Sequence, residues 1–191
     1  ANVVFIISTQ TMFLAIFGYF YLREKVSLIG STSIFLAMSG IIVMVGDSIS
    51  TGSLFGNIVA LAIPINFAIL VMIIRKNNKV DMVPAIFYSG IFSLIYGFLL
   101  TESFEFTRHD LFMGFLLGVP QLAISFICIT IGSRTVESAT VGILMLMETL
   151  CAPLWVWIFL NEVPPISVFL GGAVIILAII LKSFDKSKLK T

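Results

Sequence analysis

Seven apolar runs divide this chain, at residues 3 to 22, 28 to 45, 53 to 74, 82 to 100, 111 to 132, 138 to 160 and 166 to 181. Each is of the length needed to cross a hydrocarbon layer of roughly 30 Å, the last being the shortest. In hydrocarbon a backbone must satisfy its own hydrogen bonds, so runs of this length read as helices. No connection exceeds about ten residues, which leaves no room for a soluble domain between spans. Hydrophobic residues make up 59% of the chain, charged residues 11%, and the mean hydropathy is +1.14. A water-soluble fold of this size would expose large apolar patches with such a composition. The expected class is therefore an all-α, polytopic membrane helix bundle. Stop and start signals fall at the run boundaries: Gly46-Asp47, Gly52-Ser53, Asn77-Asn78, Asp81 and Asp110 as N-caps, and Pro164-Pro165 opening the final span.

Two stretches repeat one pattern 138 residues apart: a long apolar run, then Leu22-Arg23-Glu24 or Leu160-Asn161-Glu162, a few turn residues, and another apolar run. Five spans separate equivalent points. An odd number inverts the second copy in the membrane, which is the layout of inverted-repeat carriers. On this reading residues 53 to 182 form one complete five-helix repeat, residues 1 to 46 supply the last two helices of its partner, and residues 183 to 191 are a basic tail. The expectation is that three further helices lie upstream, so that the chain covers the last seven of about ten. The competing expectation is a complete seven-helix protein.

Orientation follows from the cations. With the C-terminus in the cytoplasm, the inner segments hold Arg23, Lys25, Arg75, Lys76, Lys79, Arg134, Lys182, Lys186, Lys188 and Lys190, and the outer segments hold Arg108 alone. That bias satisfies the positive-inside rule. The same alternation sets Glu24 on the inner face and Glu162 on the outer one.

Residues 138 to 165, from Ser-Ala-Thr-Val-Gly through Leu-Met-Glu-Thr-Leu-Cys-Ala-Pro-Leu-Trp-Val-Trp to Leu-Asn-Glu-Val-Pro-Pro, with the Gly171-Gly172 helix after them, resemble the C-terminal end of an EamA-type carrier of the drug/metabolite transporter superfamily. Residues 14 to 46, with Phe20-Tyr21-Leu22-Arg23-Glu24-Lys25 and Gly30 through Gly40, resemble the corresponding end of the first repeat. The resemblance implies a ten-helix, multi-pass inner-membrane carrier with both termini in the cytoplasm, commonly an exporter of metabolites or drugs. The family often places Gly before the helix-end acid, where this chain has Arg23 and Asn161. It often places Pro directly after the intramembrane acid, where Thr149 follows Glu148 and the proline comes at Pro153.

Polar side chains near the bilayer midplane are the candidates for a substrate or proton site. Glu148 lies midway along its span, out of snorkelling reach of either end, and ionising it there without a partner costs several kcal/mol. A carboxyl that is neutral in hydrocarbon and charged when a cavity opens beside it suits proton coupling or a cationic substrate group. The competing role is a neutral Glu that glues two helices together. Gln10, Asn66 and Gln121 lie close to the midpoints of their own spans, and four such residues on four helices imply one shared cavity. Pro64 and Pro120 stand beside two of them. Each removes a donor and frees the carbonyl four residues earlier, at Ala60 and Leu116, so that the helix can kink there.

The remaining features read as structural. Small-residue stripes at Ser89, Ser93 and Gly97, at Gly52, Gly56 and Ala60, and at Gly114 and Gly118 read as close-packing seams. Cys128 and Cys151 read as small hydrophobes, and Trp155 and Trp157 as interfacial anchors. The single histidine, His109, has no neighbouring Cys, His or acid cluster to complete a metal site, and no nucleophile and base pair marks an enzyme. No nucleotide-binding signature or cofactor motif is present, and a net charge of +1 gives no footprint for a nucleic acid. The partners this reading implies are a small-molecule substrate, protons and the lipid bilayer, with a homodimer left open. The alternative function is a non-catalytic seven-helix receptor or assembly subunit in which Glu148 is glue.

Overall fold

A computed structural model describes residues 6–45, 54–101 and 105–185. Among these residues the chain is helical throughout, without strands. In order the helices are α1 (Gln10–Leu22), α2 (Leu28–Val45), α3 (Leu54–Lys76), α4 (Val83–Leu100), α5 (Arg108–Gly132), α6 (Ser138–Leu160) and α7 (Ile166–Ser183). Five of them are long and apolar enough to span a membrane, over Ile58–Lys76, Val83–Leu100, Arg108–Gly132, Ser138–Phe159 and Ile166–Ser183. Ile6–Leu22 and Leu28–Met44 are shorter apolar helices. The turn signals at Gly46-Asp47 and Gly52-Ser53 and the tail from Lys186 lie outside the described residues.

Two helix starts differ from the sequence reading. Helix α5 begins at Arg108, and its N-cap is Thr107, three residues before the expected Asp110. The Thr107 hydroxyl accepts the Asp110 N–H at 3.2 Å, while Asp110 Oδ2 accepts the Thr107 N–H at 2.9 Å, a reciprocal capping box with Asp110 at the third position. The N-cap of α4 is Met82 rather than Asp81. Asp81 still serves that end, accepting the Val83 N–H at 3.2 Å and pairing with the Arg134 guanidinium. Those two bonds, the Arg134 one first, hold the Asp81 carboxyl below the usual carboxylate range.

The prolines also part company. Pro64 sits fully buried inside an α3 that stays helical through it. Around Pro120 the chain does not simply kink: Leu117–Ile124 widens into a π-helical stretch between the α-helical segments Arg108–Leu116 and Ser125–Gly132. Such a local adjustment re-pairs backbone groups that a proline would otherwise strand in hydrocarbon.

The described residues form two compact units, one within 1–73 and 136–191, the other within 74–135. In the first unit α2 and α7 run antiparallel with backbones in contact. A Cβ added to Gly171 would stand 2.4 Å from the Gly40 carbonyl oxygen, and one added to Gly40 would stand 2.8 Å from that of Gly171. Ala37, Ile41, Ile175 and Ala178 continue this seam and are completely buried. A second antiparallel pair, α1 with α6, closes where a Cβ on Gly142 would come within 2.8 Å of Thr11 Cα, and Leu14, Ala68, Val71 and Val141 pack the core that α3 shares with them. Without a hydrophobic drive between helices in lipid, close backbone approach at small residues is what holds such pairs.

The seams expected at Ser89, Ser93 and Gly97 and at Gly114 and Gly118 are not seams among the described residues. Both serines are exposed, and a Cβ on Gly97, Gly114 or Gly118 would meet nothing within 4 Å. The tight contacts are made instead by Gly40, Gly142 and Gly171, with the buried small residues Ser33 and Ala37 on the helix of Gly40 and Ala178 on that of Gly171.

In the second unit the ends of α3 and α5 meet, with Arg75 Nη1 donating to the Ser133 carbonyl at 3.3 Å, and the Arg134–Asp81 pair ties in the start of α4. These ends share one face, as alternating spans require.

Candidate transport site

The four candidate residues have different surroundings. Gln10 is buried on α1 and Glu148 is exposed on α6, in the same unit. Among the described residues Glu148 makes no hydrogen bond or ion pair. Asn66, on α3 and also in this unit, is exposed and turns its amide back to the Ala62 carbonyl at 2.8 Å, satisfying its own donor within the helix. Gln121 is exposed within the π-helical stretch of the second unit. Three of the four thus share a unit, on helices that contribute to one core cluster. A shallow apolar groove of about 290 Å3 beside α1 and α2, lined by Ala15, Ile16, Tyr19, Val26, Ser31 and Ile34 among others, contains none of them.

Hydroxyl groups that the sequence reading passed over join α1 to α6 beside Gln10 and Glu148. The Thr11 hydroxyl donates to the Gly142 carbonyl at 3.0 Å, and the Ser8 and Thr149 hydroxyls lie 3.4 Å apart. As the residue number rises on one helix it falls on the other, so the pair is antiparallel. One signal could have revealed these threonines. The 138-residue register that aligns Glu24 with Glu162 also aligns Gln10-Thr11 with Glu148-Thr149, so each copy carries an amide or acid followed by a threonine at midspan.

A polar cluster closes one end of the same unit. Lys182, at the last turn of α7, pairs with Glu137 Oε2 at 3.2 Å and Asp185 Oδ2 at 2.9 Å, its side chain only 6% exposed and that of Asp185 3%. The Ser27 hydroxyl donates to the same Asp185 oxygen and accepts the Gly30 N–H at 2.9 Å, capping α2. Next to it Glu24 Oε2 accepts the Ser138 N–H at 3.1 Å, placing a carboxylate at the N-terminus of α6, where the helix dipole favours it. The turn after α1, the start of α6 and the end of α7 therefore share one face.

The chain leaves α1 and α6 in the same way. Arg23 and Asn161 are the non-glycine residues with positive φ among the described residues, at φ 55° and 56°. After α1 the Glu24 N–H returns to the Gly18 carbonyl at 3.0 Å, and the Arg23 N–H reaches the same carbonyl. The backbone at both positions is the left-handed one that glycine adopts without strain.

Comparison with known proteins places these elements in context. The family model described as "EamA-like transporter family" matches residues 54–184. A solved structure described only as "Crystal structure of protein" superposes with a TM-score of 0.84 at 16% sequence identity, over 98% of this chain and 68% of that one. At that identity the likeness shows the fold alone. No curated protein matches the chain.

Proposed function

The chain belongs to the EamA-like transporter family, and from that premise we propose that it is part of a secondary-active, multi-pass inner-membrane carrier that exports small metabolites or drugs. Its mechanism is alternating access: two inverted five-helix repeats, of which this chain carries the last seven helices, rock about a midplane site with the C-terminus in the cytoplasm. The site takes Glu148 as its proton-responsive group, with Gln10, Asn66 and Gln121 as neutral hydrogen-bonding partners for substrate.

The observation that carries this reading is Glu148 itself, an acid midway along the 23-residue α6 that makes no bond to another described residue. A gluing carboxyl needs a bond to a neighbouring helix. Thr149 makes that interhelical contact, through Ser8, and leaves the acid beside it uncommitted. Support for the inversion comes from the antiparallel packing of the two pairs that the 138-residue register relates, α1 with α6 and α2 with α7.

Glu148→Gln tests the proposal, since it keeps size and hydrogen bonding and removes titration. In liposomes containing the full-length protein and a transported substrate, accumulation driven by a pH gradient is expected to fall at least about tenfold, while exchange without a gradient continues. Wild-type pH dependence in Glu148→Gln would remove Glu148 from the coupling step.

A further inference from the structure

The apolar groove of about 290 Å3 beside α1 and α2 belongs to one copy of the repeated pattern, and the other copy closes the corresponding place with its own side chains. Ile16, Tyr19 and Phe20 line the groove from α1, Ser31 and Ile34 from α2, and Val26 from the turn between them. Shifted by the 138-residue register, Tyr19 becomes Trp157 on α6 and Ser31 becomes Phe169 on α7. Those two rings meet edge to face, with centroids 5.9 Å apart and planes at 88°. Ser31 is too small to meet Tyr19 in that way, and the groove stays open between them.

The turn beside the groove differs in the same sense. Arg23 and Lys25 flank Glu24, and both are exposed. Among the described residues neither side chain makes an ion pair or hydrogen bond, while Glu24 is committed to the Ser138 N–H. In the second copy these positions are Asn161 and Val163, which carry no charge. An open apolar groove and two unpaired cations thus occur together at one helix turn, and the equivalent turn has two packed rings and no cation.

We propose that this groove is a binding site for one anionic phospholipid, with an acyl chain lying along Ile16 and Ile34 and the phosphate meeting Arg23 and Lys25. In a bilayer the groove takes up hydrocarbon, because left unfilled it forfeits dispersion contacts along both helices. Hydrocarbon alone gives no choice among lipids. The cations supply it: they stand on the turn that follows the end of α1, at head-group level, where each basic residue favours an anionic lipid by about fivefold. Arg23 adds a planar fork suited to two phosphate oxygens at once. Tyr19, an apolar ring with a polar tip in the last turn of α1, suits the same boundary.

Lipid-selective quenching tests the site in the full-length protein. In a background in which Trp155, Trp157 and every other tryptophan are replaced by Phe, Phe20→Trp puts a reporter on the groove wall, and Phe35→Trp, at a position 82% exposed on α2, puts one outside it. The bilayers contain phosphatidylglycerol or phosphatidylcholine with brominated chains, each diluted in unlabelled phosphatidylcholine. Quenching of Phe20→Trp is expected to show a preference of at least about fivefold for the anionic lipid, and quenching of Phe35→Trp about none. Arg23→Asn combined with Lys25→Val, the residues of the second copy, is expected to bring the preference at Phe20→Trp down to about one. Ser31→Phe supplies the ring of the second copy and leaves both cations in place, and is expected to lower that preference at least about threefold. Equal preference at both reporters overturns the site, because it reports general attraction to the membrane surface. Full preference surviving in Ser31→Phe, or in the variant without the two cations, overturns it as well. So does a Phe20→Trp reporter that neither lipid quenches, because another protein segment then covers the groove.

Discussion

After Leu22, Arg23 turns the chain through φ 55° and Glu24 reaches the Ser138 N–H on another helix; after Leu160, Asn161 turns it through φ 56° and Glu162 stays exposed, with no bond to any described residue. The three-residue pattern thus dictates its backbone wherever it occurs, because that backbone depends on neighbours in sequence. What the acid does depends on whether another helix presents an N-terminus to it. Glu24 thus acts as a tertiary cap on α6. A related contrast appears at three further positions: Lys182, Ser27 and Gly30 take part in a polar joint, whereas Met44, Pro165 and Val168, which the 138-residue register sets against them, carry neither charge nor hydroxyl.

The largest expected effect on this contrast is at Lys182. Lys182→Met leaves Glu137 and Asp185 without their cation and is expected to destabilise the protein by about 3 kcal/mol in reversible unfolding in mixed micelles. Substitution of Met44 by Leu, volume-conserving in an apolar setting, should cost less than about 1.5 kcal/mol. Equal losses would mean that Lys182 contributes only bulk. A smaller effect separates the two acids: Glu24→Ala removes a charged cap and should cost about 1 to 2 kcal/mol, whereas Glu162→Ala should cost under about 0.5 kcal/mol. A loss at Glu162 matching that at Glu24 would show that both acids cap helices. The smallest effect concerns the turns. Replacing Arg23 by Gly relieves a left-handed conformation and should stabilise by about 1 kcal/mol, and Asn161→Gly by less, since asparagine tolerates that region better. Destabilisation by Arg23→Gly would show that the Arg side chain matters more than its backbone strain.

Much of the helical layout was legible in the chain. The runs read at 28 to 45 and 138 to 160 are the helices Leu28–Val45 and Ser138–Leu160, because apolar length and flanking turn residues are local signals. The packing was far less legible. Gly114 and Gly118 looked as good a seam as Gly40 and Gly171, since lipid tails are as apolar as a neighbouring helix and the sequence of a spanning helix does not distinguish the two. Pro120 announced a disturbance in α5 but not its form, because a π-helical stretch and a kink are alternative ways of re-pairing the same carbonyls. At the candidate site, Glu148 and Gln10 stood out as polar residues at midspan, whereas Thr11 and Thr149 did not, because threonine is unremarkable in a membrane helix until its partner is known. Lys182 counted only as one more inner cation; that it is buried between Glu137 and Asp185 depends on helices far apart in sequence.

The central claim is that the two matching helix ends face opposite sides of the membrane. Lys25 and Val163 are equivalent in the 138-residue register, and both are exposed. Lys25→Cys and Val163→Cys, each made singly in the full-length protein lacking Cys128 and Cys151, are to be labelled with an impermeant maleimide in sealed vesicles of known orientation. The account predicts labelling of Lys25→Cys only from the cytoplasmic side and of Val163→Cys only from the outer side. Labelling of both from one side would contradict the inverted repeat.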